Sequence, residues 1–178
     1  MKITVTWTLN HTMAVMAIAI DAVHDCFIAG VGKRIYLYKI VFNDQEKKEE
    51  AKELKQMEKH TADITCLSFR KDGNFFASGA RDNIVYLWDM ANLDKPSSKI
   101  SFNDGIVHLS YNPCYMILLA MSKSTLSVVL EKGVHKHSLS SGVDCAWTND
   151  GNKYAIAYEN GTISIRDRKT IRTKGRSL

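Results

Sequence analysis

Two Asp-Gly dipeptides, Asp72-Gly73 and Asp150-Gly151, stand 78 residues apart, each between short runs rich in β-branched and aromatic residues. Asp-Gly between such runs is a hairpin signal, because the turn needs backbone conformations that these residues reach cheaply. The same offset carries Asp82 to Asn160 and Trp88 to Arg166. Halved, it gives a period of about forty residues, room for four short strands per unit. A chain built from such units cannot bury the apolar face of one unit alone. Each unit needs a neighbour of the same shape, which predicts sheets fanned around a shared axis: a β-propeller. A β-sandwich is the alternative, and it requires no register between repeats.

The stretch from His60 to Asp89, HTADITCLSFRKDGNFFASGARDNIVYLWD, shows the unit most plainly. Ile64–Phe69, Phe75–Ala80 and Ile84–Trp88 read as strands, separated by turns at Asp72-Gly73 and Arg81-Asp82-Asn83. This stretch resembles a repeat of the WD40 family, with His60, Ser78-Gly79, Asp82 and Trp88-Asp89 at the positions that carry the repeat's signature. The resemblance implies a buried relay in which Asp82 accepts from His60, His60 meets Ser78, and Ser78 faces the Trp88 indole N–H. Such a relay gives every buried polar group a partner. Ser78, His60 and Asp82 could be mistaken for a hydrolase triad, but no Gly-x-Ser-x-Gly elbow is present and a mid-strand serine faces a core.

Read in order, the chain is expected to be an all-β, partial WD40-type propeller of about four blades, each with four antiparallel strands. Residues 2–8, KITVTWT, alternate and read as the strand that would close a ring. Residues 12–59 form blade one, 60–102 blade two, 103–140 blade three and 141–178 blade four. Gly32 occupies the place of Asp82 in blade one, which predicts no polar network there, and blade three lacks a turn aspartate. Residues 43–52 read as a charged, solvated loop insertion with partial helix: from Asn43 to Lys59, eleven of seventeen residues are charged and Ala51, Leu54 and Met57 form only a thin apolar stripe. Leu54–Glu58 leans towards an outer strand. WD propellers commonly have about seven blades, so the chain is expected to be part of a larger ring, poorly soluble or oligomeric when made alone because open sheet faces invite association.

The net charge of +5 lies in residues 166–178, RDRKTIRTKGRSL, with six basic residues and one acid. The other residues balance at 18 of each sign. A basic tail without a basic folded face is a weak nucleic-acid signal, and it reads as a solvated end. The four cysteines lie at least 31 residues apart and form no CxxC pair, so they read as reduced, mostly core residues. No metal site, phosphate-binding loop or cofactor site is expected, nor nucleic-acid binding or membrane insertion.

A closer resemblance rests on KDGNFFASGARDNIVYLWD, on FNDGIVHLSYNP (Phe102–Pro113) and on AWTNDGNKYAIAYENGTISIRD (Ala146–Asp167). These resemble the N-terminal propeller of the WD-repeat subunits of the intraflagellar transport A complex. That implies a non-catalytic scaffold of ciliary retrograde transport and cilium assembly, located in cytoplasm and cilium, whose partners are other intraflagellar transport A subunits and cargo proteins. The residue before the turn aspartate points to the top face in WD repeats, which makes Arg81 and Glu159 candidate partner contacts. Another WD40 scaffold, in a vesicle coat or as a ubiquitin-ligase substrate receptor, and nucleic-acid binding through the tail remain as alternatives.

Overall fold

The structure, a computed structural model, describes residues 8–21, 23–130 and 133–171. Among the described residues, fifteen strands form four separate antiparallel meanders. The first sheet runs β1 (Val15–Asp21), β2 (Cys26–Val31), β3 (Arg34–Asn43) and β4 (Lys48–Glu58); the second runs β5 (Ile64–Phe69), β6 (Phe75–Ala80), β7 (Ile84–Asp89) and β8 (Ser98–Ser101). The third comprises β9 (Ile106–Tyr111), β10 (Ile117–Ser122), β11 (Thr125–Leu130) and β12 (Gly133–Ser138). The fourth comprises three strands among the described residues, β13 (Gly142–Trp147), β14 (Lys153–Tyr158) and β15 (Ile163–Asp167), followed by a 3-10 turn at Arg168–Thr170. Ladder hydrogen bonds stay within each sheet, while the first strand of each sheet packs against the first strand of the next. That is the arrangement of successive propeller blades.

Side chains hold the blades together. Three apolar clusters fill the three gaps: Cys26, Ile28, Ile35 and Leu37 face Ile64, Phe76 and Trp88; Cys66, Ala77 and Val85 face Ile106, Leu109 and Leu118; Leu119, Met121 and Val128 face Cys145, Tyr154 and Ile156. Strands β2 and β10 are buried along their whole length because both faces are covered. In the first two gaps a glycine on the second strand receives an isoleucine from the next blade. A Cβ on Gly30 would come within 2.7 Å of Ile64 Cγ2, and one on Gly79 within 2.6 Å of Ile106 Cγ2. In the third gap the pair is inverted: Met121 takes the place of Gly79, and Gly142, at the start of β13, makes room for it, with Met121 Sδ 3.1 Å from where its Cβ would lie.

The Asp-Gly turns have a second role besides reversing the chain. Gly73 and Gly151 sit at φ +71° and +66°, a region that favours glycine. Each also lies against a buried polar side chain of the preceding blade. A Cβ on Gly73 would fall 2.4 Å from Asp21 Oδ2, and one on Gly151 2.3 Å from Asn112 Oδ1. Asn112 Nδ2 donates to the Gly151 carbonyl at 2.9 Å.

Two expectations are corrected. Residues 43–52 are not a loop with partial helix: β3 runs to Asn43, residues 44–47 turn, and β4 begins at Lys48, so the charged stretch is a long exposed hairpin. The apolar spacing of Ala51, Leu54 and Met57 looked helical, but the strand is bulged there. Leu37 pairs with Lys55 and Tyr38 with Glu53, which leaves Leu54 as the extra, exposed residue. Ala51 and Met57 lie on opposite faces of β4, Met57 beside Ile35 towards blade two and Ala51 beside Ile40 on the other side. The tail also differs in part. Arg166 and Asp167 belong to β15, Asp167 Oδ1 accepts from Lys169 N at 2.8 Å, and the Arg168 guanidinium stacks over Tyr115 at 3.8 Å. These positions are docked rather than solvated. Residues 172–178, and 2–7 of the expected ring-closing strand, lie outside the described residues.

Gly79→Val is expected to destabilise the chain by about 1–3 kcal/mol through overpacking. Adding Ile106→Ala should recover part of that loss instead of adding its own cost. Denaturant titrations of the two single variants and the double variant test this, and simple additivity would refute the pairing.

Candidate functional site

Blade two contains a four-member buried relay. The Trp88 indole N–H donates to Ser78 Oγ at 2.9 Å, and Ser78 Oγ lies 2.9 Å from His60 Nε2. His60 Nδ1 lies 2.9 Å from Asp82 Oδ2 and 3.1 Å from Oδ1. An indole only donates and a carboxylate only accepts, which sets the direction. Ser78 donates its hydroxyl to His60 Nε2, and His60 donates Nδ1–H to Asp82. Asp82 also accepts from the backbone N–H groups of Thr61 at 2.9 Å and Ile84 at 3.1 Å, tying the loop entering the blade to the β6–β7 turn. Burial pulls the His60 imidazole below its ordinary 6.5, against the opposing pull of Asp82, so the neutral ring the relay needs is the favoured one. Ser78 is fully buried and its oxygen is engaged on both sides, so the arrangement is structural and offers no nucleophile to solvent.

The other blades carry shortened versions, and here the sequence reading of blade one is corrected. Tyr38, in the register place of Trp88, reaches His11 Nε2 directly at 3.2 Å; the serine position is held by Ala29, and no aspartate takes part. In blade three the roles are exchanged. Asp104, in the loop before β9, accepts from Ser124 N at 3.0 Å and Ser124 Oγ at 2.8 Å, so the loop holds the turn. In blade four Asn160 Oδ1 accepts from Thr162 N at 3.0 Å within its own exposed turn.

These relays rigidify the end of each blade where the β2–β3, β6–β7, β10–β11 and β14–β15 turns lie. Arg81 is exposed at the β6–β7 turn. With Thr65, Asp104, Ile106 and Lys123 it lines a groove of about 440 Å³ between blades two and three. Glu159, at the β14–β15 turn, does not join Arg81; it pairs with Lys123 Nζ at 3.0 Å, and this contact holds its carboxyl below the usual range. Lys123 was not legible as a site residue, because blade three lacks the turn aspartate that marks the position. Lys33, at the β2–β3 turn, pairs with Glu58 at 2.7 Å. The rim is therefore a row of alternating charges with Arg81 facing the groove.

Among the described residues, no group of three or more His, Cys, Asp or Glu side chains could hold a metal, and no helix is long and apolar enough to cross a membrane. The buried thiols of Cys66 and Cys145 are pushed up to about 12 by burial, which makes them core side chains and not nucleophiles.

Separate sheets fanned by their first strands, a tryptophan relay and a period near forty residues define this chain as an arc of a WD40-type β-propeller. Residues 51–89 match the model of the WD domain, G-beta repeat. The solved beta-propeller domain of Cps50 (Swd1) from Myceliophteria thermophila superposes with a TM-score of 0.74 at 14% identity, over 90% of this chain and 54% of that one. In sequence, the chain is similar to the Intraflagellar transport protein 122 homolog of Mus musculus, 36% identical over 118 residues, and of Xenopus tropicalis, 37% identical over 112. It is also similar to Protein tipD of Dictyostelium discoideum, 25% identical over 113 residues. The mouse match covers 65% of this chain and 10% of that relative, so the chain spans a small part of the relatives' length.

Asp82→Ala or Trp88→Ala is expected to destabilise blade two by about 2–4 kcal/mol, through a stranded polar group or a cavity. Asn160→Ala should cost less, because its partners are solvent-accessible turn groups. Equal melting shifts would contradict that ranking. The relay also predicts a pH dependence. His60 binds its proton less readily folded than unfolded, so its contribution to stability is complete above about pH 6.5 and is lost as pH falls below that value. His60→Gln should therefore lose less stability than the native chain between about pH 7.5 and pH 5.5. Parallel slopes would mean that His60 does not titrate in this window.

Proposed function

We propose that this chain is a non-catalytic protein-interaction scaffold acting with the intraflagellar transport A machinery, in ciliary retrograde transport and cilium assembly. The observation that carries the reading is the identity of 36–37% over 112 to 118 residues to relatives named intraflagellar transport protein 122 homologs. The geometry supports it. A rim of turns is held rigid by buried relays, and loops on a rigid scaffold are where binding residues gather. The partners are other intraflagellar transport A subunits and cargo proteins, and the location is the cytoplasm and the cilium. Arg81 is the principal partner contact; Glu159 contributes by orienting Lys123.

The test is a tagged copy of the protein in ciliated cells. It should concentrate at the ciliary base and along the axoneme and co-purify with intraflagellar transport A subunits. Arg81→Glu should weaken that co-purification at an unchanged melting temperature. A uniform distribution with no transport subunits recovered would overturn the reading.

A further inference from the structure

The third gap, between blades three and four, holds a cation that no carboxylate balances. Arg166 on β15 lies opposite Tyr154, the register place that Trp88 holds opposite Phe76 in blade two. His137 on the outer strand β12 lies opposite Leu126, as Met57 lies opposite Ile35 in blade one. Tyr154 and Leu126 belong to one packed cluster, so Arg166 and His137 flank the same gap, as Trp88 and Met57 flank the first. His135, two residues before His137 on β12, lies on the same face of the strand. Arg166 Nη2 donates to the Tyr158 hydroxyl at 3.5 Å, a long contact, and no ion pair among the described residues includes Arg166. His137 Nε2 is buried without a hydrogen-bond partner. Burial first, and then Arg166 and His135, pull the His137 imidazole below its ordinary 6.5, so the charges acting on the ring are positive.

A partly buried cation without a counter-ion and a buried ring nitrogen without a partner are each costly. One anion between them relieves both. We infer that Arg166, His137 and His135 form a binding site for a phosphoryl group, entered from the outer edge of the gap between blades three and four. The donor set selects this class. Arg166 offers a fork of N–H groups from one blade, and two imidazoles approach from the other. A flat carboxylate has two oxygens to meet them, whereas a phosphoryl group has three. Arg166, His135 and His137 are all half-buried, so solvent ions reach their side chains. A turn of the His137 ring about its Cβ–Cγ bond brings Nε2 towards an anion held by Arg166. The Tyr158 hydroxyl, 3.3 Å from Ser164 Oγ, holds the guanidinium on its far side. The site involves neither Arg81 nor Lys123 and does not depend on the transport reading.

Free phosphate and a phosphorylated side chain share this chemistry, and two probes separate them. Inorganic phosphate and N-acetyl-O-phosphoserine amide are titrated into the whole chain by isothermal calorimetry, in chloride buffer of matched ionic strength. Saturable binding of at least one is expected, with acetate at least about tenfold weaker. Arg166→Gln should weaken binding at least about tenfold, and His137→Met several-fold, at melting temperatures in chloride that match the native chain. Tighter binding of the ester assigns the site to a phosphorylated partner, and tighter binding of the ion assigns it to free phosphate; both uphold the site. No saturable binding of either probe, acetate binding as tight as phosphate, or unchanged affinity in the folded variants overturns the proposal. Should Arg166→Gln fail to fold, His137→Met, which installs the residue that blade one carries in that place, decides: weaker binding supports the site, and unchanged binding refutes it.

Discussion

Everything in this structure depends on how one blade seats against the next. Ladder hydrogen bonds satisfy each meander internally, and backbone contacts between blades are isolated ones, such as Ile64 N–H to the Gly32 carbonyl and Gly142 N–H to the Lys123 carbonyl, both at 2.8 Å. The joints are volume matches, Gly30 with Ile64, Gly79 with Ile106 and Met121 with Gly142, in which a large side chain enters space that a second Cβ would occupy. Close-packed interiors tolerate little change in such volumes. Polar stitches then fix the register: Thr65 Oγ1 donates to the Ile106 carbonyl at 2.6 Å, Tyr111 N–H to Ser68 Oγ at 3.1 Å, and Trp147 Nε1–H to the Ser110 carbonyl at 3.1 Å. Each stitch joins neighbouring blades through first strands, where the fan is tightest.

The buried relay is a local refinement of that scheme. One blade carries all four members, blades one and three keep a ring-to-ring and a loop-to-turn contact built from different residues, and in blade four Asn160 bonds within its own turn. The common requirement is that a polar group buried at a blade's end must find a partner. His60–Ser78–Trp88, His11–Tyr38 and Asp104–Ser124 meet it with different chemistry. In blades one and two the choice follows from the size of the aromatic residue on the third strand. An indole needs a serine to reach the histidine, whereas a tyrosine hydroxyl reaches it directly.

Function follows from rigidity at both ends of the arc. At the relay end, short pinned turns present charged side chains at fixed spacing. At the other end, the connection after β7 packs Met90 and Leu93 back onto the cluster between blades one and two. The exposed apolar side chains of the terminal blades, Met16, Ile18 and Ile20 on β1 and Ile163 and Ile165 on β15, show that both outer blades carry the same kind of face that is buried between inner ones.

Much of the fold was legible in the sequence, because turns are local. Asp-Gly pairs, alternating runs and the His60-to-Asp89 signature set the strands and the period before any contact is known, since hairpin geometry depends on a few adjacent residues. The charged hairpin was misread because Ala51, Leu54 and Met57, spaced by three, suggest one helical face, whereas in β4 Ala51 and Met57 face opposite sides and Leu54 is an exposed bulge, which the partner strand settles. The His11–Tyr38 contact, the Lys123–Glu159 pair and the glycine–isoleucine seats were equally hidden: each joins residues 27 to 36 positions apart that only folding brings together. The sequence by itself determined what each blade is, because that is decided by short-range backbone preference. Only the tertiary structure decided how the blades fit, because that depends on volumes meeting across space.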